Sequence, residues 1–304
     1  MYMQHFGLRE LPFSLTPNTH FFLNIASYQQ AYNMLMVSLA NKEGFIKIVG
    51  ELGIGKTMLC REVIKALMED KENYCPVVLP NPVVSPKGLF LAFAEELKIK
   101  IDQDVGHHRL LKAITERLNE LSAIGKQVVM FIDEAHAIPE QTLEALRLLT
   151  DIETETAKRF QVVLFAQPEL DVALGQPSLQ KLRQQITFSF KIEALDRDGL
   201  ARYVSHRINT AGYNGQSLFS KRALDYLYRT SYGIPRLINI LCHKALVICF
   251  EKGEDVVQSD HIRLAAGAIE GVELPSANYR PVYIALAGIA ASASAVVFYF
   301  AKVV

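Results

Sequence analysis

Eight residues, Gly50–Glu51–Leu52–Gly53–Ile54–Gly55–Lys56–Thr57, constrain this chain more than any other stretch. They read G-x-x-x-x-G-K-[ST], the P-loop pattern. The motif has physical meaning only between a strand and a helix, and both flanks are present. Phe45–Ile46–Lys47–Ile48–Val49 ahead of it is a short apolar run, and 58–67 behind it is helix-like. Glycines let the backbone turn so that successive N–H groups point inward at phosphate oxygens, and the helix adds its positive N-terminal end. The candidate phosphate-binding residues are Gly50, Glu51, Gly53, Ile54, Gly55, Lys56, Thr57 and Met58. Lys56 is placed to reach the β- and γ-phosphates, and the Thr57 hydroxyl to bind Mg²⁺. ATP and Mg²⁺ are therefore the expected ligands. The rival reading, a glycine turn with a chance lysine, does not account for the flanks.

The rest of the chain alternates around this loop. Residues 1–22 form an apolar, turn-rich lead-in, expected to pack near the base pocket of a nucleotide site. Helical spacing then predicts a helix over 27–41, followed by the P-loop strand at 45–49. Further strands are expected at 76–79, 128–132, 161–166 and 186–192, and helices at 85–97, 110–124 and 141–149. The run Val128–Val129–Met130–Phe131–Ile132 is continuously apolar, as strands buried on both faces of a parallel sheet are. After Leu195 the pattern is wholly helical, with Asp196 and Ser220 as caps of helices to about 211 and 231, and two more at 234–251 and 259–269. The expected fold is α/β, a three-layer parallel sheet followed by an all-helical lid. The expected divisions are a lead-in and helix at 1–41, a core at 42–194, a lid at 195–272, a linker at 273–281 and a terminal segment at 282–301.

Asp133 and Glu134 stand at the carboxyl end of the buried strand. A carboxylate at Asp133 can hold Mg²⁺ directly or through water. One at Glu134 can take a proton from an attacking water in line with the γ-phosphate. Alone, such a pair also reads as a solvated strand end; about eighty residues after a P-loop it reads as a hydrolysis site, with an extra strand inserted between the two motif strands. His136 is read as a hydrogen-bonding residue. Gln167 ends the next strand, where it can touch the γ-phosphate or the water, or cap the turn before Pro168. Arg236 follows Gly233–Ile234–Pro235 in the first turn of a helix. A cation is disfavoured there, which points to an anion such as a nucleotide phosphate, against the plainer reading of a surface arginine.

Charge and cysteine content limit the alternatives. The 304 residues carry 32 Lys and Arg against 32 Asp and Glu, so the basic excess of a dedicated nucleic-acid binder is missing. A local basic face over 200–207 with Lys221, Arg222 and Arg229 stays open. Cys60, Cys75, Cys242 and Cys249 form no C-x-x-C pair and read as reduced core residues. No basic n-region precedes an apolar run at the N-terminus, so no cleaved signal peptide is expected. Residues 282–301 are free of charge and, at 1.5 Å per residue, about 30 Å long as a helix, the thickness of a hydrocarbon core. A single-pass inner-membrane protein is expected, with the ATP site on the cytoplasmic side.

With these residues in place, the chain resembles an AAA+ ATPase of the ExeA/GspA group. The likeness rests on Phe6–Gly7–Leu8 with Pro12–Phe13–Ser14–Leu15–Thr16–Pro17, the P-loop with Leu59–Cys60–Arg61, Ile132–Asp133–Glu134–Ala135–His136, Gln167–Pro168–Glu169–Leu170 and Gly233–Ile234–Pro235–Arg236. The resemblance implies Gln167 as sensor 1, Arg236 as sensor 2 and Arg183 as a candidate arginine finger for a neighbouring subunit. Gln185 stands where that group carries a second arginine. The chain's end shortly after residue 301 omits the long periplasmic part of many members and favours the MSHA pilus biogenesis branch. The resemblance implies a homo-oligomeric ATPase that hydrolyses ATP for a type IV pilus or type II secretion assembly, with inner-membrane proteins as partners, the membrane engaged through the terminal helix and nucleic acid not a partner. The rivals are a DNA-associated AAA+ regulator of the transposition type and a nucleotide switch with negligible turnover.

Overall fold

A computed structural model describes residues 2–269, except 17, 24, 80, 101–105 and 151–159. In chain order the elements are α1 (Tyr2–His5), α2 (Ala26–Ala40), β1 (Phe45–Val49), α3 (Lys56–Glu69), β2 (Tyr74–Leu79), α4 (Pro86–Glu96), α5 (His107–Ala123), β3 (Gln127–Ile132), α6 (Glu140–Thr150), β4 (Phe160–Ala166), α7 (Glu169–Leu174), α8 (Gln180–Gln185) and β5 (Ile186–Lys191). Four helices follow: α9 (Arg197–Thr210), α10 (Lys221–Ser231), α11 (Pro235–Glu251) and α12 (Ser259–Gly267). Their caps are the residues expected: Asp196 accepts from the Gly199 N–H at 2.7 Å and Ser220 from the Ala223 N–H at 3.2 Å.

The five strands form one parallel sheet in the order β2-β3-β4-β1-β5. Alternation along each strand divides its side chains between two cores. Ile46, Ile48, Val129, Phe131, Val163 and Phe165 face one core, which continues without a break into the helices after β5. Phe45, Val128, Met130, Ile132, Val162 and Leu164 face the other, against α4, α5 and α6. Lys47 breaks the apolar run of β1, and its ammonium pairs with the Asp171 carboxylate on α7. A charge that deep is tolerable only when answered in this way.

The structure corrects the expectation of a single-pass inner-membrane protein. Among the described residues no helix is long and apolar enough to cross a membrane. The longest, α5 and α11, have 17 residues each, about 26 Å against a hydrocarbon thickness of ~30 Å. Each owes its apolar character to a stripe buried in a core. The segments at 273–281 and 282–301 lie outside the described residues. Several elements differ in detail from the sequence reading. The lead-in contains α1 and a single 3-10 turn at Thr19–Phe21, and the stretch between β4 and β5 holds α7 and α8, too short for a periodic signal.

One tight contact joins the sheet to the helices behind it. The Leu195 N–H donates to the Gly233 carbonyl at 3.0 Å. Gly233 has φ +74°, and a Cβ there would lie 2.1 Å from the Leu195 carbonyl oxygen. Gly125 has φ +79° with nothing within 4 Å of such a Cβ. Both alanine substitutions incur left-handed strain, but only one also has a clash. Gly233→Ala is expected to cost about 3 kcal/mol of unfolding free energy and Gly125→Ala about 1 kcal/mol. Equal losses in thermal or denaturant unfolding would show that the Leu195 contact does not constrain the junction.

Candidate functional site

The strand order builds the site. Because β4 lies between β1 and β3, the P-loop after β1, Asp133–Glu134 after β3 and Gln167 after β4 emerge side by side at the carboxyl edge of the sheet. That edge is where open α/β sheets bind ligands. The extra strand between the two motif strands is β4.

The loop closes around its own lysine. Lys56 is buried, and its Nζ donates to the Gly50 carbonyl at 2.8 Å and the Glu51 carbonyl at 3.0 Å. Burial pushes its ammonium below the ordinary lysine value, while Glu134, Asp133, Glu51 and Glu169 oppose that shift. The Gly50 N–H ties the loop's start to the Ala166 carbonyl of β4 at 3.1 Å. Gly53 and Gly55 have φ +79° and +105°, a conformation that makes glycine the fitting residue. The backbone is also gripped from outside. The Tyr28 hydroxyl on α2 donates to the Ile54 carbonyl, and the Arg236 N–H donates to the Gly53 carbonyl at 3.1 Å. A Cβ on Gly55 would sit 2.6 Å from the Tyr28 oxygen, and one on Gly53 2.6 Å from Arg236 Cβ.

The acidic side of the site is equally close. Thr57 Oγ1 donates to Asp133 Oδ2 at 2.6 Å, and Asp133 Oδ1 accepts from the Glu134 N–H at 3.0 Å. A hydroxyl and a carboxylate so near each other suit Mg²⁺, which takes one or two protein oxygens and completes its shell with water and phosphate. No cluster for an all-protein metal cage occurs among the described residues. Glu134 has φ +53°, unusual for a residue with a side chain. Its carboxylate is bracketed by Gln167, whose Nε2 is 3.3 Å from Oε2, and by His136, whose Nε2 is 3.5 Å from the same oxygen. Gln167 and His136 also touch each other at 3.0 Å. The three side chains are thus one polar cluster, and His136 has the hydrogen-bonding place read for it.

A cleft of about 350 Å³ opens over the loop. Gly53, Gly55, Lys56, Thr57, Met58 and Glu134 form its floor, and Arg236 stands at its edge from the first turn of α11. The lead-in supplies one wall through Ser14, Thr16 and Phe21. α9 and α11 supply another through Tyr203, Arg207 and Asn239. Arg183 is exposed on α8 and is not among the residues that line the cleft. Sequence reasoning missed Tyr28, Tyr203, Arg207 and Asn239. Their only sequence signal is the i,i+4 spacing of Tyr203 and Arg207, which places both on one face of α9. Of the basic face left open over 200–207 with Lys221, Arg222 and Arg229, Arg207 is buried, while the three residues of α10 are exposed.

The AAA domain family profile matches residues 40–174. General secretion pathway protein A of Aeromonas hydrophila is 36% identical over 288 residues, 95% of this chain and 52% of that protein, so the chain spans about half the length of this relative. Among solved structures, Cdc6p of Pyrobaculum aerophilum superposes with a TM-score of 0.65 at 17% identity, over 86% of this chain and 72% of that one. The ORC1 protein of Aeropyrum pernix, solved in complex with DNA, does so with a TM-score of 0.61 at 16% identity, over 86% and 70%. At those identities the likeness is one of fold.

Tyr28→Phe tests the outside grip on the loop. It leaves the buried Ile54 carbonyl without its donor, and an unmade buried hydrogen bond costs about 1–3 kcal/mol. The KM for ATP is expected to rise roughly tenfold, with little change in kcat. An unaltered KM in steady-state turnover would mean that the loop holds its shape without α2.

Proposed function

We propose, from the premise that this chain belongs to the AAA+ ATPases in the group of general secretion pathway protein A, that the cleft binds and hydrolyses ATP to support a type II secretion or type IV pilus assembly. The MSHA pilus branch is the finer reading. The observation that carries the hydrolytic part is the 2.6 Å contact between Thr57 and Asp133, with Glu134 next in chain and Gln167 against it.

In this reading the P-loop N–H groups and Lys56 hold the phosphates. On binding, the Lys56 ammonium exchanges carbonyl partners within its own loop for phosphate oxygens, a charge-assisted contact in a site with little water. Thr57 and Asp133 would hold Mg²⁺, which when bound neutralises charge developing on the phosphates. Glu134 accepts a proton from the attacking water, and Gln167 orients that water or the γ-phosphate. Arg236 brings a positive charge from α11, so the helices behind the sheet respond to the phosphates present. Subunits associate, and Arg183, exposed on α8, is available to a neighbour's site.

Lys56→Ala is expected to abolish ATP binding in calorimetry. Glu134→Gln is expected to bind ATP normally and to hydrolyse it roughly 100-fold more slowly or worse. Unchanged turnover in Glu134→Gln refutes its role as base. Cross-linking of Glu134→Gln with ATP in cell extract should also enrich secretion or pilus components over Lys56→Ala.

The likeness to ORC1, a protein solved with DNA, favours a second reading as a DNA-associated ATPase, with Lys221, Arg222 and Arg229 exposed on α10. ATP-dependent binding of duplex DNA in a mobility-shift assay, lost when these three are changed to Ala, would favour it over the assembly role.

A further inference from the structure

α9 buries a cation that no carboxylate answers among the described residues. Arg207 is 8% exposed, and among the described residues its hydrogen-bond partners are all neutral. Nε donates to the Pro12 carbonyl, Nη2 to the Ser14 carbonyl at 3.3 Å and Nη1 to the Tyr203 hydroxyl at 3.0 Å. The guanidinium carbon lies 4.8 Å from the centroid of the Phe21 ring. Tyr203 passes the chain on to Asn239 of α11 at 3.0 Å. Burying a guanidinium without a counter-ion is costly, and two of these contacts go to backbone carbonyls of the lead-in that no sheet or long helix holds. The planar fork suits the task, because it donates in several fixed directions at once and stacks on a ring.

Both ends of this arrangement reach the nucleotide cleft. Ser14, Phe21, Tyr203, Arg207 and Asn239 all line it. Each of the three guanidinium nitrogens of Arg207 is engaged, by the lead-in or by Tyr203. Arg236, by contrast, lies beside the P-loop, with its N–H on Gly53.

We propose that Arg207 is a positioning residue for recognition of the nucleotide's base: it fixes Pro12, Ser14 and Phe21 on α9 as a wall of the cleft, and so makes the base contact travel with the helices that carry Arg236. The inference rests on the ATP-binding reading given above. It assigns the irregular N-terminal segment to the base and the P-loop to the phosphates, with α9 as the joint between them.

The test separates those two parts of the ligand. ATP carries base and triphosphate, whereas inorganic tripolyphosphate carries the phosphate chain alone. In the full chain, Arg207→Gln should raise the KM for ATP roughly tenfold, the scale of a lost charged hydrogen bond, with kcat within about twofold. The inhibition constant of tripolyphosphate against ATP should stay as in the wild type. Arg207→Lys, which keeps the charge and loses the fork, should restore part of the ATP affinity. If Arg207→Gln does not fold, Phe21→Leu carries the same test, with a smaller rise in KM and again no change for tripolyphosphate. A parallel loss of both ligands overturns the inference, because Arg207 then acts on the phosphates or on folding at large. An unchanged ATP KM overturns it as well. If the wild type binds neither ligand, the ATP reading itself has failed; if it binds both and the variants behave otherwise than stated, this inference alone has failed.

Discussion

The site depends on a buried ammonium held by its own loop. Lys56 is buried, and the carbonyls of Gly50 and Glu51 accept from its ammonium. Those contacts close residues 50–56 around the lysine. The closed loop has left-handed φ at Gly53 and Gly55, and it leaves no room for side chains where Tyr28 and Arg236 press on it. Sequence, backbone conformation and charge thus meet in one loop: Gly53 and Gly55 supply the left-handed φ and the room that Arg236 and Tyr28 leave beside it.

The sheet order gives that loop its chemistry. With β4 inserted between β1 and β3, Asp133 arrives at Thr57 and Gln167 arrives at Glu134 without any loop having to span the distance. Lys47 shows the cost of placing a charge inside the same strand that carries the loop, and Asp171 on α7 offsets it. Glu134 carries its own strain, a left-handed φ on a residue with a long side chain. Such strain persists where the surroundings hold it, here Asp133 below and Gln167 with His136 beside it.

The helices after β5 are not a loose appendage. Their apolar residues, from Leu200 to Ala266, share one core with the face of the sheet that carries Ile46 and Ile48. Leu195 and Gly233 lock backbone to backbone at the junction, and Arg236 and Arg207 reach from this layer to the loop and to the lead-in respectively. A ligand seated in the cleft therefore touches the sheet edge, the N-terminal segment and the helical layer at once. That arrangement lets occupancy of one cleft bias the position of several elements.

Much of this was legible in the chain itself, and for local reasons. The P-loop, the continuous apolar run ending in Asp133–Glu134, the period of α5 and the caps at Asp196 and Ser220 are all set by neighbours a few residues away, where backbone conformation and side-chain period are decided. The membrane expectation rested on 282–301, which lies outside the described residues; among the described residues no helix is long and apolar enough to cross a membrane, and the longest, α5 and α11, bury their apolar stripes in a core. What tertiary structure alone decided is which distant residues share the cleft. Arg207 meets Pro12 across 195 positions and Tyr28 meets Ile54 across 26. No periodicity encodes those meetings, because they follow from the order of strands and the continuity of one core, and burial then turns an apparent surface arginine into an internal clasp.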